Sequence, residues 1–336
     1  MRFYKLSFHS ALHVDSRGSG EPETAEEFIR SDTLSGALCL SWNTVFQEAD
    51  AGFFMNPPFR LSSAFPFIGD LLLYPAPAWR IWAEDLDEAD RKRFKSVRWL
   101  APAVFERVLD GKKIGPAEIE ILPGGVALTP EEADAAPVLR EVQAWAMSER
   151  QRVSVDRLGV GDGGLFFFAL QFFRPDAGLW FLANMDDADA GRFRAALDYL
   201  GDTGIGADRN SGLGHFRVAE DEVYSPPAGR NRNGYTTLSL FNPDGSEDLG
   251  KLIGTSAYRL TTRSGWITGA TVGRPPIRVF AEGSYFSARP KGRVVEMLNP
   301  SARERFELPI NHGAPRDFRA VFLPCAEPPC LKEVSR

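Results

Sequence analysis

Hydrophobic and polar residues alternate at the start of the chain. Tyr4, Leu6 and Phe8 are interleaved with Lys5, Ser7 and His9, which predicts a half-buried β-strand. A Gly/Ser loop follows at 15–20. Helical spacing then takes over at Leu34, Ala37, Leu38, Trp42 and Val45, and Ser31 or Asp32 is the natural N-cap in front of it. Residues 61–69 and the apolar run 71–74 read as strands, the second stopped by Pro75 and Pro77. The basic stretch 91–95 leads into a helix with Leu100, Val104, Phe105 and Val108 on one side. Residues 110–137, rich in Gly, Pro and charge, read as a loop or hairpin insertion.

Strand patterning resumes in a second unit near Arg152. The apolar run 165–173 predicts a strand, Pro175-Asp176-Ala177-Gly178 a turn, and 179–183 the returning partner. A helix carrying Phe193, Ala196, Leu197 and Leu200 ends at Gly201 and opens into a glycine-rich segment, 204–216. Further strands are expected at 235–241 and 258–262, and an irregular tail after Pro324. Helices are few and strand pairs adjacent, so the expected class is α+β, built of β-α-β-β-α-β units and not a doubly wound sheet. The 336 residues suit two packed domains, 1–150 with an insertion and 151–324 with the glycine loop, followed by a tail at 325–336.

Composition narrows the function classes. Hydrophobic residues make up 43% and charged residues 25%, an ordinary globular mix. No apolar stretch has membrane-spanning length, and the N-terminus runs into strand sequence without a signal-peptide core, so a soluble cytoplasmic protein is expected. Three cysteines, Cys39, Cys325 and Cys330, make no disulfide framework, and the last two read as free thiols in a loose tail. A net charge of −6 argues against indiscriminate coating of nucleic acid. It leaves room for a few placed contacts in a local basic groove.

Four constellations carry candidate chemistry. Gly204, Gly206, Gly212 and Gly214 surround Arg209, Asn210 and Ser211. Such a loop brings backbone close to an anion while Arg209 adds a phosphate contact. A tight packing turn explains the same glycines, and chemistry alone leaves both open. The order helix, glycines, strand is the reverse of a dinucleotide site, and no Walker A sequence is present. Ser31, Asp32 and Thr33 at a helix start, with His13 and Arg17 before them, would suit phosphate, but on the residues alone an ordinary N-cap with a solvated loop is the preferred reading. Arg152 and Arg157, five apart in a strand, project to opposite faces and need not act together. Late in the chain, Arg259, Arg263, Arg274, Arg278, Arg289, Lys291 and Arg293 are opposed by Glu282 and mixed with Tyr258, Trp266, Tyr285 and Phe286. That mixture suits single-stranded RNA, or else scattered solvated arginines beside core aromatics. Catalytic signals are poor: no nucleophile elbow, no zinc motif and no acidic metal cluster, and neither cofactor nor metal is expected. His9 and His13 are the only pair suited to metal-free acid–base chemistry.

Several segments, taken in order, resemble the RAMP superfamily of CRISPR proteins, and within it the Csm-four subunit family of type III-A effector complexes. They are residues 8–13, 31–38, 61–67 with Ser62 and Ser63, 152–157, and the glycine loop 204–216. The resemblance implies two ferredoxin-like (RRM-like) domains and a non-catalytic subunit that grips the repeat-derived 5′ tag of the CRISPR RNA. It implies two protein partners, a large cyclase-like signature subunit and a repeated backbone subunit, and a thumb-like β-hairpin, placed here between residues 80 and 150. The positions it assigns to RNA are His13, Arg17, Ser31, Asp32, Thr33, Ser62, Ser63, Arg152, Arg157 and the loop residues Gly204, Gly206, Arg209, Asn210, Ser211, Gly212 and Gly214. Two departures stand in the loop: Ala207 and Asn210 replace a further Gly and a Ser. The alternatives are an endoribonuclease on the same fold using His9 and His13, and a small-molecule or nucleotide enzyme without a matching phosphate motif.

Overall fold

A computed structural model describes the chain except residues 16–21, 49, 85, 154–163, 226, 228–232, 268–272, 299–312 and 335–336. The first strand, β1 (Arg2–Phe8), is followed by α1 (Ser31–Phe46), the short α2 (Ala51–Met55) and three short strands, β2 (Phe59–Leu61), β3 (Phe65–Ile68) and β4 (Leu71–Leu72). The sheet is completed much later by β11 (Ala177–Met185), α6 (Asp187–Thr203) and β12 (Phe216–Val223). β1 lies between β11 and β12, and β11 also pairs with β2 and β3. This spatial order is that of a β-α-β-β-α-β unit whose second strand is split. Ser62 repairs the split, since its amide donates to Leu182 O at 2.9 Å and its hydroxyl accepts from Leu182 N at 2.8 Å.

The sheet corrects the expected boundary at residue 150, because β1 has its partners on the far side of it. It also corrects the predicted hairpin at 165–183. The strand β10 (Leu165–Phe173) pairs with β9 (Trp145–Val153), while β11 turns away into the main sheet. Between β4 and β9 the chain builds a compact lobe. Its strands β5 (Tyr74–Pro75), β6 (Trp99–Leu100), β7 (Glu120–Leu122) and β8 (Val126–Leu128) form a small sheet with α3 (Glu88–Lys95), α4 (Pro102–Leu109) and α5 (Pro130–Ala135). Among its described residues no long hairpin projects from it; the long hairpin is β9–β10, which starts at Trp145, at the end of the range expected for the thumb, and runs past it to Phe173.

Both faces of the main sheet are covered. Tyr4, Leu6, Phe181 and Ala183 pack on α1 and α6, whereas Trp180 and Leu182 pack on the inserted lobe with Tyr74, Trp99 and Phe105. Burial at this scale, roughly 2 kcal/mol for each large apolar side chain, is the main stabilising term. Lys5 is buried on the lobe-covered face, where its Nζ lies over the Phe67 ring and donates to Gly69 O at 3.0 Å in the β3–β4 turn.

The second half is more fragmentary. β13 (Gly234–Thr237) lies between β16 (Tyr285–Phe286) and β19 (Phe322–Cys325), with a single bridge from Ala257 to Tyr285 outside. The order repeats that of the first unit, yet a full second ferredoxin-like sheet is not formed among the described residues. A helix α7 (Leu249–Gly254), a hairpin β14 (Leu260–Trp266) with β15 (Gly273–Phe280), and the pair β17 (Val294–Glu296) with β18 (Pro315–Asp317) surround this core. The tail is not loose: Cys325 is buried in β19, Ala326 N bonds Leu109 O at 2.7 Å, and a last helix α8 (Pro329–Val334) follows.

Candidate nucleic-acid interface

The glycine loop follows α6, which runs past Gly201 to Thr203 because Gly201 admits the Phe216 carbonyl against its Cα, where a Cβ would stand 2.5 Å away. Gly204, Gly206, Gly212 and Gly214 all take positive φ, between 74° and 94°. Three are also steric requirements. A Cβ on Gly206 would stand 2.2 Å from His13 O, on Gly214 1.9 Å from Ile205 O, and on Gly204 2.5 Å from Leu213 O. Gly212 has open space. The substitution at Ala207 is harmless because the left-handed residue is its neighbour Asp208, at φ 56°.

The loop is stitched to residues 9–14. Ala207 N donates to His13 O at 3.0 Å, Gly214 N to Ala11 O at 2.8 Å, and His9 N to His215 O at 3.2 Å. The β9–β10 hairpin docks on the same segment: Leu12 and Gln171 exchange backbone bonds of 2.8 and 2.9 Å. Phe168, Leu170, Ala11 and Leu213 make a small apolar cluster beneath it. Arg152, on β9, pairs with the Asp208 carboxylate and lies 4.3 Å over the Phe168 ring. Loop and hairpin therefore form one ridge. Arg209, Asn210 and Ser211 stand exposed at its tip, and Arg209 makes no ion pair among the described residues. The other flank of β9 is exposed from Ala146 to Gln151.

Other expected site residues are placed elsewhere. Ser31 and Asp32 are buried at the start of α1, whose N-cap is Arg30 and not either of them. Asp32 receives Arg263 at 3.2 Å and Arg316 at 3.1 Å. Burial opposes its charge, but Arg263 and Arg316 outweigh that and hold the carboxyl down at about 2. Thr33 Oγ1 accepts from Arg263 at 3.1 Å. The Ser31 hydroxyl accepts from Leu240 N at 3.0 Å, and the Ser63 hydroxyl from Ser31 N at 2.9 Å while donating to Glu282. Together with Ser62 these residues join the halves of the molecule; as surface contacts for phosphate they are corrected. His13 is buried as well, its Nδ1 2.7 Å from Ala169 O, so only its backbone serves the loop. His9 faces His215, with ring centroids 6.0 Å apart, and shares no partner with the His13 ring. Arg17 and Arg157 lie outside the described residues. Asp208 and the hairpin register escaped the sequence reading; the alternation of Arg150 and Arg152 on β9 was the one available signal.

Comparison with known proteins agrees with this geometry. Residues 230–306 match the family described as the CRISPR Csm4 C-terminal domain. A relative from Thermococcus onnurineus (strain NA1), named CRISPR system Cms protein Csm4, is 28% identical over 298 residues, covering 84% of this chain and 86% of its own. A solved Csm3–Csm4 subcomplex of the type III-A CRISPR-Cas interference complex shares the fold with a TM-score of 0.68 at 15% identity, over 97% of this chain and 100% of that one. A Csm1–Csm4 cassette in complex with cA4 does so with a TM-score of 0.59 at 19% identity, over 97% and 98%. Residues 5–217, which contain the main sheet, the hairpin and the glycine loop, match the RAMP superfamily, and the chain belongs to that superfamily.

Proposed function

We propose that this chain is the Csm4-type subunit of a type III-A CRISPR effector complex. In that role it holds the repeat-derived 5′ tag of the guide RNA and bridges a Csm1-type large subunit to a Csm3-type backbone subunit. The names of its relatives and the two complexes that share its fold support the assembly role. The observation that carries the RNA role is the exposed Arg209-Asn210-Ser211 tip, seated by glycines against residues 11–14 and flanked by the β9–β10 hairpin. In this reading the hairpin is the thumb that enters the RNA path.

The subunit works without chemistry of its own. Of the two candidate acid–base residues, His13 is buried and hydrogen-bonded to Ala169, and His9 is exposed with its ring 6.0 Å from that of His215. Among the described residues no group of three or more His, Cys, Asp and Glu is placed to hold a metal ion. Among the described residues no helix is long and apolar enough to cross a membrane.

Co-purification of the tagged chain from its operon tests the proposal. Short RNAs sharing one 5′ tag, recovered with the partner subunits, are expected; recovery of the chain alone would sink it. Arg209→Ala is expected to weaken RNA binding roughly tenfold without altering sequence preference, because phosphate contacts position and base contacts specify. Cleavage of repeat RNA by purified protein, abolished in His13→Ala, would replace this reading with the endoribonuclease.

A further inference from the structure

The basic stretch 91–95 has no part in the ridge. It forms most of α3, which Phe94 anchors by stacking on Trp82 with ring centroids 4.5 Å apart. Arg91, Lys92, Arg93 and Lys95 are exposed, and none of them makes an ion pair among the described residues. Cations in the last turn suit the helix dipole, and Asp87, Glu88 and Asp90 supply anions at the other end. Four cations in five positions exceed that need. Arg91 and Lys95 are i,i+4 neighbours, and Lys92 and Lys95 are i,i+3, so like charges crowd one stripe at a cost to the helix. In a chain of net charge −6 the stripe is a local exception.

The stripe ends on a groove. The groove is lined by Lys95 and Arg98, by the Gly124–Gly125 turn between β7 and β8, and by Trp145 and Met147 at the base of the β9–β10 hairpin. Its acidic lining residue, Glu27, is taken up by Arg98 through two contacts of 2.9 Å, which leaves Lys95 uncompensated. Both glycines have positive φ, 87° and 74°, and a Cβ on Gly125 would stand 2.3 Å from Ser96 O. That side of the groove is bare backbone, which lets a strand come close.

The hairpin relates this groove to the ridge. Met147 faces Gln171 across the strands and Gln151 faces Phe167, so the odd-numbered residues of β9 share the groove side. Arg150 and Arg152 alternate to the other side, where Arg152 meets Asp208 of the glycine loop. Met147 and Arg152 are five residues apart, about 17 Å along the strand. β9 has no partner on its outer edge among the described residues, so an RNA strand can pass round it from one face to the other. Arg91 and Lys95 are separated by about 6 Å along the helix axis. That regular spacing suits successive phosphates of one strand better than the irregular carboxylates of a protein surface.

We propose that α3 and the groove beside it form a second contact for single-stranded RNA, on the hairpin face opposite the glycine ridge, in which Arg91, Lys92 and Lys95 hold successive phosphates. This rests on the RNA-binding reading above and gives the hairpin RNA on both of its faces.

The test uses the full chain and a labelled single-stranded RNA, with affinity followed by anisotropy across a salt series. Lys95→Gln alone is expected to lower the log–log salt slope by about 0.7, one phosphate's share on a single strand. Joining it to Arg91→Gln and Lys92→Gln is expected to lower the slope by about 2 and to weaken binding about a hundredfold at roughly 0.1 M salt. A merely structural role would not move that slope. Lys251→Gln, on α7, removes one exposed cation elsewhere and is expected to leave the slope unchanged. Ultraviolet crosslinking is expected to place RNA adducts within residues 91–98. Wild-type affinity and slope in the folded triple variant, alongside a weakened Arg209→Ala, would overturn the groove site and leave the loop reading standing. Loss of a protein subunit from the triple variant's complex, with the slope unchanged, would assign α3 to a protein contact and overturn it too. A wild-type chain that binds no RNA, alone or with its partners, would instead remove the underlying reading.

Discussion

Asp32 has no exposed surface and faces two guanidinium groups, so its charge is a structural requirement. Asp32→Asn leaves both arginines uncompensated and is expected to cost about 3–5 kcal/mol in urea unfolding. The acid dependence has a definite sign. The folded carboxyl, at about 2, lies below its ordinary 3.8. Its contribution is therefore complete above about pH 4 and is lost as pH falls through 2, about 2 kcal/mol in all. The Asn variant should lack that component of the acid transition. Within the glycine loop, Gly214→Ala should cost roughly 2 kcal/mol or more, because backbone blocks the new Cβ, whereas Gly212→Ala should cost only about 1 kcal/mol for its positive φ. Equal losses at both sites would contradict the packing described. Burial pushes the Cys39 and Cys325 thiols up to about 12, so alkylation of native protein should mark Cys330 alone.

At the scale of elements, the β9–β10 hairpin is held at its base, where Phe173 stacks on Phe8 and Trp145 enters the core, and further along by the Leu12–Gln171 bridge, the His13–Ala169 bond, a small apolar cluster and the Arg152–Asp208 pair. Both partners of that pair are about one-third exposed, so a double-mutant cycle should return a coupling of only about 0.5–1 kcal/mol. The outward amides of β9 should exchange with deuterium well before those of β11, which is paired on both edges. Equal protection would place the hairpin in the core. Element types were largely legible in the sequence: 3.6-residue spacing found α1, α4 and α6, and the apolar run found β10 to the residue. Pairing was not. A turn sequence such as Pro175-Asp176-Ala177-Gly178 specifies a reversal locally, but it cannot say which strand already occupies the other edge. Lys5 misled for the same reason, since alternation marks its face as polar and only the distant β3–β4 turn, with Gly69 and the Phe67 ring, covers it. The polar start of α1 pointed to a ligand when its partners were Arg263, Arg316 and Leu240, more than 200 residues away.

Across the whole molecule, the two halves are tied by buried polar contacts as well as by packing. Arg30 bonds Glu282 at 2.7 Å, and Arg319 reaches the carbonyls of Pro57 at 3.1 Å and Phe59 at 2.6 Å. One cooperative unfolding transition is expected in calorimetry; two separated transitions would show that these contacts do not couple the halves. A fragment ending at residue 150 should not fold, since β1 would lack both neighbours, and circular dichroism would show this directly. The separation between β1 and those neighbours also has a meaning in time. Roughly 170 residues are made after β1 before β11 begins, which at ordinary synthesis speeds is on the order of ten to thirty seconds. Throughout that interval Tyr4, Leu6 and Phe8 have neither sheet neighbour to pair with, so the nascent chain carries an apolar strand open to wrong pairing until β11 emerges.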